Sequence, residues 1–128
     1  MSYNYVIDSY AWAEYFRGTE KGALVREFIE KGKCATSTIT IAELSEKYIR
    51  EGKDFKDDLD FIFFKSKVVG LNPDIAILAG KLNFENKKKI KNWGMADSII
   101  LAVANFLKCK VVTEDEHFRN LNSIMLDV

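Results

Sequence analysis

Short runs of β-forming residues alternate with helical stretches along almost the whole sequence, and this alternation restricts the possible folds more than any other feature. The β-type runs occupy residues 3–7, 34–37, 67–70, 110–113 and 123–128. Helical patterns separate the first four runs from one another. This order predicts an α/β fold with right-handed crossovers, in which a central, mostly parallel sheet of four to five strands is flanked by helices.

Apolar residues recur at helical spacing between the β-type runs, and local signals mark the helix ends. Thr19 is placed to cap a helix that Gly32 ends, and Pro73 stands in a first turn, where its missing N–H costs nothing. Ile49 and Phe63 fall on the apolar faces of their helices. We expect helices over residues 10–17, 20–31, 40–50, 55–65 and 95–107, with a further helix beginning at Pro73.

Composition and length indicate one globular domain over residues 1–128. Apolar residues make up 48% of the chain and charged residues 30%, and the longest apolar stretch, residues 99–104, is too short to span a membrane. The first eight residues lack the basic segment of a secretory leader. Cys34 and Cys109 have no metal-binding spacing, so we expect buried free thiols in a cytoplasmic protein. Because 19 basic residues balance 19 acidic ones, net charge favours no class of partner.

Four acidic residues lie where strands end or where helices begin. Asp8 follows the first strand, Asp115 comes two residues after the fourth, and Glu43 and Asp97 lie in the opening turns of helices. Each has a purely structural explanation: Thr40 and Glu43 have the spacing of a capping box, Asp97 favours a helix dipole, and Asp8 and Asp115 can cap the turns that follow them.

The four acids also share one predicted location, beyond the carboxyl ends of the strands, where ligands bind in open α/β sheets. Carboxylates that converge there repel one another and raise at least one pKa unless a cation lies between them. Mg²⁺ and Mn²⁺ prefer oxygen ligands. The sequence therefore predicts a divalent-cation site at this edge of the sheet, as an alternative to four separate structural roles.

Four segments resemble the PIN-domain ribonucleases, and specifically the VapC-like toxins of type II toxin–antitoxin systems. In chain order they are YVIDSYAWAEYF at residues 5–16, TSTITIAEL at 36–44, MADSIILAVA at 95–104 and VVTEDEHF at 111–118. The resemblance covers essentially the whole chain. It implies a three-layer, Rossmann-like PIN fold.

The resemblance also implies the activity and its residues. Asp8, Glu43, Asp97 and Asp115 correspond to the acidic cluster that holds one or two Mg²⁺ or Mn²⁺ ions, with Thr113 among the catalytic positions and Ser9 in support. The implied reaction is endonucleolytic cleavage of RNA to a 5′-phosphate and a 3′-hydroxyl. The family also implies a homodimer inhibited by a small antitoxin protein.

This sequence departs from the family pattern at two points. Many relatives have Asp-Thr-Asn where this chain has Asp8, Ser9 and Tyr10, so an amide near the metal is missing. Glu114 and Glu116 flank Asp115, which leaves room for a shift of one residue. We assign Asp115 because the spacing from Thr113 to Phe118 matches the family motif.

Two surfaces are candidates for binding macromolecules. Lys87, Lys88, Lys89 and Lys91 precede Asp97 and could contact RNA phosphates, or form a solvated loop. Trp93 could stack on a base, although anchoring the loop to the domain is the favoured interpretation. His117, the only histidine, is assigned no catalytic role. The apolar residues that could cover a dimer or antitoxin surface, or simply pack in the core, are Trp12, Tyr15, Phe16, Phe61 and Phe64.

Other functions of the same scaffold remain open. An RNA-maturation nuclease that acts without an antitoxin is one alternative, and a catalytically silent interaction module is another. A phospho-acceptor receiver domain is disfavoured because the third strand ends in Gly70, Leu71 and Asn72 rather than in an aspartate. A phosphatase with an Asp-x-Asp nucleophile is excluded by Tyr10.

Overall fold

Five strands form one sheet in the computed structural model, which describes residues 2–127. All four pairings between neighbouring strands are parallel, and the spatial order is β3-β2-β1-β4-β5. The predicted α/β fold with a central parallel sheet is confirmed. The strands are β1 (Tyr5–Ile7), β2 (Cys34–Ser37), β3 (Ser66–Val69), β4 (Lys110–Thr113) and β5 (Ser123–Met125).

Helices cover both faces of the sheet and make three layers. On one face α5 and α6 pack against Val6 and Val111; on the other, α1 to α4 surround Ile7 and Val112. Neighbouring strand residues face opposite layers because side chains alternate along a strand. The helices are α1 (Ser9–Arg17), α2 (Glu20–Lys31), α3 (Thr38–Arg50), α4 (Lys56–Lys65), α5 (Pro73–Lys87) and α6 (Met95–Leu107).

Most helix ends follow the predicted local signals. Thr19 accepts a hydrogen bond from the backbone N–H of Gly22, and Asn72 caps α5 through the N–H of Ile75, with Pro73 in the first turn. Cys34 and Cys109 are buried free thiols, as predicted, and burial raises the pKa of each to about 11. Among the described residues, no helix has the length and hydropathy needed to cross a membrane.

The structure corrects several predicted boundaries and faces. Helix α3 begins at Thr38 rather than residue 40, because Ser37 caps it through the N–H of Ile39. Strand β5 ends at Met125, and Val128, the last residue of the predicted strand, lies outside the described residues. Ile49 and Phe63 are 77% and 55% exposed, so their predicted burial is wrong. Helical spacing gave the apolar face of each helix but not how far the packing against the sheet extends around it.

The strand order places one point of the sheet apart from the rest. From β1 the chain runs outward through β2 to β3, and it then returns to place β4 and β5 on the other side of β1. The order in which successive strands are added to the sheet therefore reverses between β1 and β4, although the two strands are parallel and Ile7 pairs with Val112. The carboxyl ends flanking such a switch point form the crevice in which open α/β sheets bind ligands.

Candidate active site

Asp8 follows β1 at the switch point and is almost fully buried, with 2% of its surface exposed. Its Oδ1 accepts a hydrogen bond from the backbone N–H of Ala11 at 2.8 Å, which caps α1 as predicted. Burial raises the pKa of Asp8 to about 7, against hydrogen bonds from Thr113 and Ala11 that lower it. Asp115 and Glu43 raise the pKa of Asp8 further through charge repulsion.

Glu43 reaches the same crevice from the second turn of α3. Its Oε1 accepts a hydrogen bond from Ser9 Oγ at 3.2 Å. The predicted capping box between Thr40 and Glu43 is wrong, because Ser37 caps the helix and Thr40 lies inside its first turn. Burial raises the pKa of Glu43, Ser9 lowers it, and Asp97 and Asp115 raise it. Glu43 therefore has no capping role to explain its position.

Asp97 and Asp115 approach each other from the first turn of α6 and from the segment after β4. Asp97 caps α6 by accepting the backbone N–H of Gly94 at 3.1 Å, and Asp115 accepts the N–H of His117 at 3.0 Å in a one-turn 3₁₀ helix. The predicted structural roles of both residues are thus real. The same side chains offer oxygen atoms that, with a ring nitrogen of His117, all lie within 4.8 Å of one another.

The charges of the four predicted acids all reach Tyr10, and among the described residues Asp97 and Asp115 are the two acids close enough to share an ion. Burial raises the pKa of Tyr10 most, and the negative charge of each of the four acids raises it further. Among residues 2–127, none of the four forms an ion pair with lysine or arginine; the one partner in reach of Asp97 and Asp115 is His117. Converging carboxylates without a lysine or arginine partner suit a hard divalent cation, which takes oxygen ligands. The donor set therefore fits Mg²⁺ or Mn²⁺.

The two acids next to Asp115 in the chain are paired with cations. This bears on which of the three acids after β4 belongs to the site. Glu114 accepts from Lys21 Nζ at 2.8 Å, and Glu116 from Arg119 Nε at 2.6 Å. Asp115 alone of the three turns towards Asp97. The geometry therefore agrees with the assignment of Asp115 and not with a shift to either neighbour.

Ser9 and Thr113 hold the acidic side chains in place. Thr113 is fully buried, and its Oγ1 accepts the backbone N–H of Asp115 at 2.9 Å while its side chain also hydrogen-bonds Asp8. Ser9 donates to Glu43. Each hydroxyl thus links two segments of the crevice, β4 to β1 through Thr113 and α1 to α3 through Ser9.

Tyr10 and His117 border the crevice and were not predicted as site residues. Tyr10 is 54% exposed and lines a groove of about 390 Å³ with Ser9 and Glu43. His117 Nδ1 lies 3.3 Å from Asp97 Oδ2 and 3.7 Å from Asp115 Oδ1. From the sequence His117 has no assigned catalytic role, and the structure places its ring beside two of the predicted acids. The spacing of Asp115 and His117 on a tight turn was the sequence signal that could have found it.

The predicted binding residues divide between surface and core. Lys87, Lys88, Lys89 and Lys91 are exposed at the end of α5 and in the following loop, where Lys88 Nζ lies 4.0 Å from the ring centre of Phe84. Trp93 is 3% exposed and donates through Nε1 to Ser98 Oγ at 2.6 Å, so it anchors this loop rather than offering a face to a base.

The aromatic residues considered for a partner surface are mostly packed against one another. Trp12 is fully buried and donates to Thr36 Oγ1 at 3.1 Å, which removes it from any docking surface. Tyr15, Phe16 and Phe61 are partly buried, and their aromatic rings pack against one another and against Trp12. Phe64, at 82% exposed, is the member of this set that faces solvent.

Comparisons with known proteins agree with this architecture. A family model described as PIN domain matches residues 5–123. A toxin–antitoxin complex from Klebsiella pneumoniae superposes with a TM-score of 0.78 at 18% identity, covering 97% of this chain and 98% of that one. VapBC2 from Rickettsia felis, bound to a promoter DNA fragment, gives 0.75 at 18% identity, with 94% and 96% covered.

A third solved structure extends the comparison to a protein described by its substrate. Mycobacterium tuberculosis VapC20, described as a sarcin–ricin loop cleaving toxin, has a TM-score of 0.72 at 12% identity, covering 95% of this chain and 99% of that one. Curated protein sequences gave no significant match. At these identities the structural likeness establishes a shared fold, while the residues of the crevice must support the chemistry.

Proposed function

This chain belongs to the PIN-domain family, and from that premise we propose that it is a metal-dependent endoribonuclease of the VapC type, the toxin of a toxin–antitoxin pair. The observation that carries the proposal is the crevice at the sheet switch point. The charges of four carboxylates reach Tyr10 there, Asp97 and Asp115 lie close enough to share an ion, and no lysine or arginine among the described residues pairs with any of the four. A site that only stabilised the fold would gain from such a partner.

Asp8, Glu43, Asp97 and Asp115 are the residues proposed to hold one or two Mg²⁺ or Mn²⁺ ions. When bound, the metal would activate water and stabilise the charge that develops on the scissile phosphate. Cleavage would leave a 5′-phosphate and a 3′-hydroxyl. Because burial raises the pKa of Asp8 to about 7, Asp8 must lose a proton before it binds a cation near neutral pH.

The remaining polar residues orient these acids. Thr113 connects Asp8 to the backbone at Asp115, and Ser9 positions Glu43 by donating to its carboxylate. Such hydrogen bonds fix ligand oxygens before substrate arrives. Thr113 and Ser9 are therefore proposed as positioning residues.

Binding partners follow from the same assignment. We infer that Lys87, Lys88, Lys89 and Lys91 contact RNA phosphates, since they are exposed on the segment that leads to Asp97. A cognate antitoxin is supported by the neighbours described as toxin–antitoxin or VapBC complexes. Exposed apolar side chains such as Ile49, Phe64 and Ile77 offer area for that partner or for a homodimer. A cytoplasmic location would suit both an RNA substrate and free thiols.

The direct test compares cleavage of end-labelled RNA by wild-type protein and by Asp97→Asn, in Mg²⁺, Mn²⁺ and EDTA. The asparagine can still accept the Gly94 N–H and keep α6 capped. We expect cleavage in either metal, none in EDTA, and a decrease of at least about 100-fold in the variant. Glu46→Gln, on the exposed side of α3, is the control and should cut normally. Metal-independent cleavage, or full activity of Asp97→Asn, would contradict the proposal.

A further inference from the structure

One ring nitrogen of His117 points into the acidic crevice. Nδ1 lies 3.3 Å from Asp97 Oδ2 and 3.7 Å from Asp115 Oδ1, and the side chain is 30% exposed. We propose that His117 is a nitrogen ligand of the divalent ion bound by Asp97 and Asp115, and that it makes this site select Mn²⁺ over Mg²⁺. The proposal rests on the proposed function only in that the crevice binds a divalent ion.

The distances between the three side chains suit a shared ion. With metal–ligand bonds of about 2.1 Å, adjacent ligands of an octahedral ion lie about 3 Å apart. The separations from Nδ1, 3.3 and 3.7 Å, exceed that value by about 0.3 and about 0.7 Å, and the three donor atoms lie within 4.8 Å of one another. Binding of one ion by all three side chains therefore requires them to move closer together.

Three contacts that do not involve a metal set the position of His117. The first is the hydrogen bond between Nδ1 and Asp97 Oδ2 at 3.3 Å, which a bound ion would replace. Its backbone N–H donates to Asp115 Oδ1 at 3.0 Å, which fixes the turn. Its ring lies beside Trp93, with ring centres 6.4 Å apart, and Trp93 is itself buried. The imidazole is therefore presented to the crevice by a supported turn, with Nε2 as the atom that carries the proton when Nδ1 binds an ion.

The chemistry of the donor decides which ion gains. Mg²⁺ is a hard ion that takes oxygen ligands and keeps several waters, so a neutral imidazole adds little to its binding. First-row transition ions accept imidazole nitrogen readily, and Mn²⁺ is the member of that series that carboxylates and water also suit. A site of two carboxylates and one imidazole thus discriminates between Mn²⁺ and Mg²⁺ through the nitrogen.

The sequence contains one histidine, which makes the proposal directly testable. Protein labelled with ¹⁵N only in histidine is loaded with Mn²⁺ at less than one equivalent and studied by pulsed electron paramagnetic resonance, without RNA. We expect the hyperfine coupling of a directly bound ¹⁵N. Bound Mn²⁺ with no such coupling would overturn the proposal.

A binding comparison provides the second measurement. Mn²⁺ and Mg²⁺ affinities are measured for wild type, for His117→Gln and for the control Glu116→Gln. Glu116 is the neighbour of His117 in the chain, and its carboxylate pairs with Arg119. We expect His117→Gln to weaken Mn²⁺ binding by about tenfold or more and to leave Mg²⁺ binding nearly unchanged. Equal decreases for both ions would overturn the selectivity, and melting in EDTA confirms that each variant folds.

The two proposals fail in different ways. A ¹⁵N coupling in a protein that cuts no RNA in either metal would sustain the role of His117 and contradict the nuclease. Mn²⁺-dependent RNA cleavage without a ¹⁵N coupling would support the nuclease and contradict the role of His117.

Discussion

Asp8 combines a structural contact with a proposed chemical one in a single buried carboxyl group. It caps α1 through Ala11, which an asparagine can also do, but its burial disfavours the charged form. The folded protein thus holds a proton on Asp8 up to pH values at which the unfolded chain has released it. Between the ordinary aspartate pKa of 3.8 and about 7, ionisation of Asp8 opposes folding.

We therefore predict that metal-free wild-type protein becomes less stable relative to Asp8→Asn as pH rises from about 4 to about 7. The difference in unfolding free energy should reach the order of a few kcal/mol at pH 8. Urea unfolding in EDTA at several pH values measures it, with exposed Asp60→Asn as the control variant. If the unfolding free energies of wild type and Asp8→Asn change with pH in parallel, ionisation of Asp8 does not oppose folding and the prediction is wrong.

Glu43 separates a structural from a metal-binding explanation more sharply than the other acids, because α3 does not need it as a cap. Glutamine can still accept the hydrogen bond from Ser9 Oγ while it removes the charge. We predict that Glu43→Gln retains or raises the melting temperature in EDTA, because burial and neighbouring acids disfavour the charged form, and that it cleaves RNA about 10- to 100-fold more slowly. Glu46→Gln, one turn along α3, should change neither. A Glu43→Gln variant that melts early would assign Glu43 to the fold, and one that cuts at the wild-type rate would remove Glu43 from the metal site.

At the scale of elements, the start of α3 shows where local sequence is ambiguous. Ser37, Thr38 and Thr40 can all cap a helix, and the spacing from Thr40 to Glu43 favoured the wrong one. The end of β2 determines where α3 begins, because Ser37 still pairs with Val69 of β3 and the helix starts at the next residue. Thr40 is consequently buried, and no described residue provides its Oγ1 with a hydrogen-bond partner.

This arrangement predicts opposite effects for two neighbouring substitutions. Thr40→Val should leave stability unchanged or raise it by about 1 kcal/mol, since it removes a buried hydroxyl without a partner. Ser37→Ala should cost about 1 kcal/mol, because it removes the cap of α3. Thermal or urea unfolding compares the two. Strong destabilisation by Thr40→Val would mean that the hydroxyl is satisfied in solution.

The segment from α5 to α6 presents the lysines to solvent because Trp93 fixes it underneath. We predict that Lys87→Gln, Lys89→Gln and Lys91→Gln together weaken RNA binding. The slope of log K against log salt concentration should fall by up to about 0.7 for each phosphate that the variant no longer neutralises. Lys31 and Lys110 are matched controls, since they are exposed and lie near the amino ends of β2 and β4. An equal effect per substituted lysine from Lys31→Gln and Lys110→Gln would mean that overall charge, and not this segment, governs RNA binding.

For the molecule as a whole, the sequence predicted the α/β fold and the parallel sheet, because the alternation of strands and helices is a local property, and the four acids as a metal site stay a prediction. The sequence did not reveal the strand order, and with it the switch point between β1 and β4, since that order depends on long-range pairing. The local spacing of Asp115 and His117 could have indicated the first of the two acids beside His117, but not the second, because Asp97 is 20 residues away. The burial of Trp12 and the exposure of Ile49 and Phe63 depend on how helices meet the sheet, which periodicity alone does not specify.

The proposed chemistry depends on acids from four separate segments of the chain binding a divalent ion together. Crystals grown in saturating Mn²⁺, with diffraction recorded at the manganese absorption edge, locate that ion without reference to activity. We expect an anomalous peak within bonding distance of carboxylate oxygens from Asp8, Asp97 and Asp115, with Glu43 bound directly or through water. An ordered crevice without a peak, or Mn²⁺ found only elsewhere on the surface, would contradict the proposed metal site.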